Sequence, residues 1–199
     1  MLASGRGSNL GAVLEATRAG QLPALGLEMV IVDRPGSGAS QLAREFRVPV
    51  CTLDFASFPQ AADFQEALLM ELRKAAPDLI LALGFMRILS GPIITEFNHR
   101  IINIHPSLLP AFPGMAAQKQ ALEYGVRITG ATVHFMDAGV DTGAIIAQSS
   151  LEMDPDWDLD RLKKELLPLE HRLVVRAAQL FSEDCLEVQG RKVIIKEKK

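Results

Sequence analysis

The sequence predicts an α/β fold: a doubly wound, mainly parallel Rossmann-like sheet with helices on both faces. Three observations carry that prediction. Short apolar, β-rich runs alternate with helix-period segments along the chain. One run, "DLILALG" (78–84), is apolar without interruption, as suits a strand buried on both faces of a parallel sheet. Glycine-rich and polar segments fall where strands should end, and ligands of such sheets sit beyond the carboxyl ends of the strands.

The elements follow in order. Only Met1, Leu2 and Ala3 precede "SGRGSNL" (4–10), so the first strand is either very short or lacks residues that would form it. Residues 8–19 place Leu10, Val13, Leu14 and Thr17 on one helical face, and Gly20 is positioned to stop the helix. "LEMVIVD" (27–33) is a β-rich run, followed by the turn "RPGSG" and a helix through "SQLAREF". "VPVCTLD" (48–54) is the next strand, and residues 60–75 form a helix ended by Pro77. After 78–84 come strands at "RIINIH" (100–105), "GATVHFM" and "AIIAQSS". Residues 156–183 read as helix, with Asp156 as N-cap and Pro168 as a kink or break. The final "GRKVIIKEKK" reads as a solubilised edge strand and frayed tail.

With 199 residues, 48% of them hydrophobic, the chain can bury one sizeable core, which suits one domain better than two. Its net charge of -3, with no basic stripe, argues against a nucleic-acid partner. No run of ~18 apolar residues suggests a membrane span, and Gly5, Arg6 and Asn9 interrupt any apolar segment of targeting length near the N-terminus. Cys51 and Cys185 lack metal-type spacing and suit a reducing compartment, so a cytoplasmic location is expected.

Four segments could carry chemistry. In "SGRGSNL", glycines 5 and 7 permit a tight turn, and Ser8 and Asn9 open a helix whose amides and dipole favour a phosphate. Leu10 stands where a dinucleotide fingerprint would want a third glycine, and Asp33 is the acid that a nicotinamide-ribose reading would use. An ordinary strand-to-helix turn explains the loop equally. Asn103 and His105 alternate in a strand and so aim at one point, where an amide beside an imidazole suits a developing oxyanion. Pro106, Pro110 and Pro113 restrict the following loop, although a capped strand end with a structural histidine fits the same residues. Asp137 and Asp141 lie in "MDAGVDTGAII" (136–146), where a carboxylate could hold the His105 imidazolium and relay protons, or simply sit in a solvated turn. "GFMRILS" (84–90) sets Met86, Ile88 and Leu89 around Arg87, which suits a flat aromatic ligand bearing carboxylate as well as it suits core packing. His134 reads as a satisfied, partly buried group, His99 as exposed, and Glu170 with His171 as a helix-surface pair. No zinc-type cluster, serine elbow or Gly-Lys-Ser/Thr phosphate loop is present.

These segments, in this order, closely resemble the phosphoribosylglycinamide formyltransferase family. The resemblance runs through "ASGRGSNL", "DRPGSGA", "APDLILALGFMRILS", "INIHPSLLPAFPG", "TGATVHFMDAGVDTGAIIAQ" and "EHRL", nearly the whole chain. It implies formyl transfer from 10-formyltetrahydrofolate to the amine of glycinamide ribonucleotide in purine synthesis, without a metal. Asn103, His105 and Asp141 match the family's catalytic trio, and Gly7, Ser8 and Asn9 its phosphate loop. Pro106 and Glu170 fall at the ribonucleotide, and Met86, Arg87, Ile88, Leu89, Asp137 and Val140 at the folate. The implied organisation is one formyltransferase domain over 1–199, with a nucleotide-phosphate half to about residue 99 and a catalytic and folate half beyond. The implied partners are these small molecules alone, with no nucleic acid or membrane, in a monomer or homodimer. Ala116, Ala144 and Leu167 depart from residues common in the family, which implies weaker substrate binding more than lost chemistry. A 10-formyltetrahydrofolate hydrolase and a non-catalytic nucleotide-binding module are the alternatives.

Overall fold

The computed structural model describes residues 1–197 and divides into two compact units, Met1–Ile102 and Asn103–Lys199. In the first unit, strands and helices alternate as the hydrophobic pattern requires. These are β1 (Leu2–Ala3), α1 (Ser8–Arg18), β2 (Val30–Val32), α2 (Gly38–Glu45) and β3 (Val50–Thr52), then α3 (Ala61–Ala75), β4 (Ile80–Ala82) and α4 (Gly91–Glu96). The strand order is β3-β2-β1-β4, with β1 parallel to both neighbours and β2 parallel to β3. The predicted α/β class is therefore the observed one.

The first strand is present, and it is two residues long. Both of its residues are buried, and backbone bonds extend the pairing beyond it: Ile31 N–H donates to the Met1 carbonyl and Leu83 N–H to the Leu2 carbonyl. A strand flanked on both sides needs little length, because each residue is tied twice. Ala3, Leu10, Leu14, Val30, Val32, Ala39 and Ala43 form a buried cluster around it. Gly7 allows α1 and α2 to approach: a Cβ there would lie 2.8 Å from the Ala39 Cα, and its φ of +81° disfavours side chains in any case. A second apolar centre forms where Phe55 and Phe58 pack edge-on against the buried Phe64.

The second unit carries an antiparallel pair, β6 (Ile128–Phe135) and β7 (Ile145–Glu152), with β7 parallel to β9 (Lys192–Ile195) and β8 (Leu186–Gln189) closing a terminal hairpin. Lys198 and Lys199, the end of the expected tail, lie outside the described residues. Helices α5 (Ala117–Tyr124) and α6 (Leu159–Ser182) complete the unit, and α6 packs on β6 and β7. The α6 N-cap is Asp158, whose carboxylate accepts from the Arg161 N–H at 2.7 Å, and not Asp156 as the sequence suggested. Two further acids crowd that stretch, and only backbone geometry selects among them.

Pro168 does not break the helix. Its missing N–H leaves the Lys164 carbonyl, one turn earlier, on an exposed face that water can serve. The opposite face buries Leu162, Leu166, Leu169 and Leu173, each worth about 1.5–3 kcal/mol when fully buried, enough to hold the helix through the proline. The sequence patterns did not reveal α4 or α5, both short, nor the 3-10 turn at Phe55–Ser57. The remaining strand, β5 (Ile101–His105), ends within the second unit and delivers Asn103 and His105 to it.

Candidate active site

The site is built at the end of β5. Asn103 and His105 alternate with the buried Ile104, and the loop after them is clamped to the sheet. Thr132, fully buried on β6, donates its hydroxyl to the Ser107 carbonyl at 2.7 Å and accepts the Leu109 N–H at 3.0 Å. Gln148 on β7 donates Nε2–H to that hydroxyl and to the Leu109 carbonyl, both at 2.9 Å. The loop's polar backbone is thus satisfied by two side chains from neighbouring strands. Further along, the Ser107 hydroxyl donates to the Ala111 carbonyl at 2.6 Å.

The structure brings His105 and Asp141 together. His105 Nδ1 lies 3.2 Å from Asp141 Oδ2, and its Nε2 lies 2.8 Å from the Phe112 carbonyl oxygen. Both partners are acceptors, so a ring protonated at both nitrogens satisfies both contacts at once. Asp141 Oδ2 also accepts the Gly114 N–H at 2.7 Å. Burial acts most strongly on Asp141 and by itself raises its pKa. Hydrogen bonds from His134 and the Gly114 amide, with the two nearby imidazoles, outweigh burial and leave the carboxyl below its ordinary range.

The loop that carries Asp141 is shaped by close contacts. Asp141 has φ +54°, a left-handed conformation that a short polar side chain tolerates. A Cβ on Gly143 would fall 1.8 Å from the Phe135 carbonyl oxygen, so only glycine fits there. Asp137 accepts from Gly139 N–H at 3.1 Å and from the Thr142 hydroxyl at 2.7 Å, so its carboxylate holds the turn together. Phe112 (φ +50°) and Ala116 (φ +58°) are also left-handed, at positions where a side chain is strained by roughly 1–3 kcal/mol.

His134 is the residue that reading the sequence missed. It is buried on β6, its Nδ1 lies 2.8 Å from the Phe135 carbonyl, and its Nε2 lies 3.5 Å from Asp141 Oδ1 and 3.4 Å from Asn103 Nδ2. The Nδ1 contact requires a hydrogen there. Nε2 then accepts from Asn103 when neutral and donates to Asp141 when protonated. Its alternation with Thr132 signalled a buried strand face, but its partners Asn103 and Asp141 belong to other elements, which alternation along one strand does not place.

Other expected residues stand as follows. In the first unit, Gly7 caps α1 without a side-chain bond, Ser8 opens the helix, and Asn9 is buried within it. Met86 and Ile88 are 66% and 80% exposed, while Leu89 belongs to the core. Arg87 is committed to Asp33, with its Nε 2.7 Å from Oδ2. In the second unit, Pro106 follows His105 directly, Glu170 is half-buried on α6, and Val140 is exposed. Among the described residues, no group of three or more His, Cys, Asp and Glu is arranged to hold a metal ion.

The chain is thus an α/β protein of Rossmann-like fold in which an amide, two imidazoles and a carboxylate meet beyond β5. The chain belongs to the formyl transferase family, whose model matches residues 1–178. It is 43% identical over 182 residues to the trifunctional purine biosynthetic protein adenosine-3 of Drosophila melanogaster, a match that covers 91% of this chain and 14% of that protein. It is 40% identical over 191 residues to phosphoribosylglycinamide formyltransferase of Mycobacterium tuberculosis, covering 96% of this chain and 87% of the relative. The crystal structure of glycinamide ribonucleotide transformylase 1 from Symbiobacterium toebii matches with a TM-score of 0.93 at 43% identity, over 98% of this chain and 92% of that one.

Proposed function

We propose that this chain transfers the formyl group of 10-formyltetrahydrofolate to the amine of glycinamide ribonucleotide in purine biosynthesis, with residues 1–199 acting as one formyltransferase domain. The observation that carries the reading is the His105 imidazole, held between Asp141 at 3.2 Å and the Phe112 carbonyl at 2.8 Å. The Mycobacterium tuberculosis relative and the Symbiobacterium toebii structure, each matched over most of its length, support the same reaction.

10-Formyltetrahydrofolate supplies the formyl carbon when bound. As the amine attacks that carbon, negative charge grows on the formyl oxygen, and Asn103 Nδ2–H and His105 Nε2–H donate to it. Nε2 leaves the Phe112 carbonyl to do so. Asp141 keeps the imidazolium in place through Nδ1 and orders a water that carries a proton from the amine to the departing folate nitrogen. In the first unit, Gly7, Ser8 and Asn9 take the ribonucleotide phosphate at the start of α1. Pro106 and Glu170 contact the rest of the ribonucleotide.

The folate is assigned to Met86, Arg87, Ile88, Leu89, Asp137 and Val140. In the first unit, exposed apolar side chains at Met86 and Ile88 suit a flat heterocycle and Leu89 supports them from the core; in the second, Val140 is 55% exposed. We place the protein in the cytoplasm as a monomer or homodimer, acting on small molecules without nucleic acid or membrane. Among the described residues no helix is long and apolar enough to cross a membrane. The test is formyl transfer measured with and without glycinamide ribonucleotide. Turnover that needs both substrates is expected, and folate deformylation that ignores the ribonucleotide would overturn the assignment.

A further inference from the structure

We infer that Asp33 is a positioning residue for the formyl donor, acting through Arg87; the inference rests on the folate assignment made above. Asp33 directly follows β2 and is 2% exposed, and its Oδ2 accepts from Arg87 Nε at 2.7 Å. The Arg87 guanidinium carbon lies 3.8 Å from the centroid of the Phe55 ring, and the Phe55 N–H donates to the Asp33 carbonyl at 2.9 Å. Carboxylate, guanidinium and ring therefore lock one another in a single arrangement.

That lock is one of several pins on the segment around Arg87. Ser4 Oγ accepts the Met86 N–H at 2.9 Å, and Gln65 donates to the Ile88 carbonyl and accepts from the Ser90 N–H, both at 2.8 Å. The pins fix a segment that holds two large apolar side chains, Met86 and Ile88, out of the core. A fold gains nothing by rigidly exposing them, whereas a ligand platform does. Asp33 itself is a poor choice for stability alone. Its Oδ1 is buried with no hydrogen-bond partner, an arrangement that an apolar side chain would avoid. With its charge met by Asp33, the Arg87 guanidinium serves as a flat, fixed surface stacked on Phe55, and not as the anchor for a ligand carboxylate that its position in the sequence suggested.

The test is steady-state kinetics of the whole protein with both substrates varied. Asp33→Asn keeps the shape and removes the charge. It is expected to raise KM for 10-formyltetrahydrofolate about tenfold, with kcat and KM for glycinamide ribonucleotide changing by less than about twofold. Phe55→Leu, which removes the stacking surface and leaves the ion pair, should shift the folate KM the same way. Combining Asp33→Asn with Arg87→Lys should raise that KM no further than the larger single change, because both act on one unit. A folate KM at the wild-type value in folded Asp33→Asn protein overturns the inference and leaves the proposed reaction standing. A wild-type protein that neither binds the folate nor transfers formyl overturns both. If Asp33→Asn does not fold, Phe55→Leu decides: a wild-type folate KM there overturns the inference, and a raised one with kcat intact supports it.

Discussion

At the scale of single residues, the central feature of the candidate site is a carboxylate that bridges two histidines. Asp141 meets His105 on one oxygen and His134 on the other, and a backbone amide fixes it further. Removing an oxyanion donor typically lowers kcat ~10²–10³-fold, and that loss is expected for Asn103→Ala. His105→Ala and Asp141→Asn should lose at least as much, read as kcat at saturating substrates with the fold verified by circular dichroism. The lowered pKa of Asp141 also predicts a stability effect. Its folded value lies below the unfolded one, near ~3.9, so its contribution is complete above that value and disappears as pH falls through the folded pKa. Urea unfolding of Asp141→Asn should therefore show a deficit at pH 7 that shrinks in strong acid; a deficit equal at both pH values would refute it. Asn103 and His105 were legible as a pair because strand alternation alone fixes their common aim. His134 was not, because its partners Asn103 and Asp141 lie on other elements, which alternation along β6 does not place.

At the scale of elements, the loop after β5 owes its shape to β6 and β7. Thr132 satisfies the Leu109 N–H and the Ser107 carbonyl, and Gln148 reaches the Leu109 carbonyl. Thr132→Val keeps the volume and leaves buried backbone groups unpaired, each costing about 1–3 kcal/mol. A loss of roughly 2–4 kcal/mol in urea-derived stability is expected, with kcat falling as the loop next to His105 loosens. Undiminished stability would show that water replaces the hydroxyl. Apart from α4 and the short turn at Phe55–Ser57, strand and helix positions in the first unit followed from hydrophobic period, since each of those elements packs its apolar face locally. The ends of α6 did not, because Asp154, Asp156 and Asp158 look alike until one meets the Arg161 N–H.

For the whole molecule, acid is the condition that tests stability. His171 on α6 has its pKa lowered by burial, and its Nε2 is buried without a hydrogen-bond partner. Its unfolded form takes up a proton first, near pH ~6.5, so stability declines as pH falls from there toward the lower folded value. His171→Leu should flatten the melting temperature over that window and raise it at pH 5.5; an unchanged pH slope would point to other groups. The sequence by itself determined the α/β class, the order of the longer elements and the family, because hydrophobic period, glycine placement and residue chemistry are local properties. Tertiary structure decided which acceptors His105 faces, that His134 joins Asp141, and that Asp33 takes Arg87. Those pairings join residues on different elements, up to 54 positions apart, and only the folded chain sets such distances.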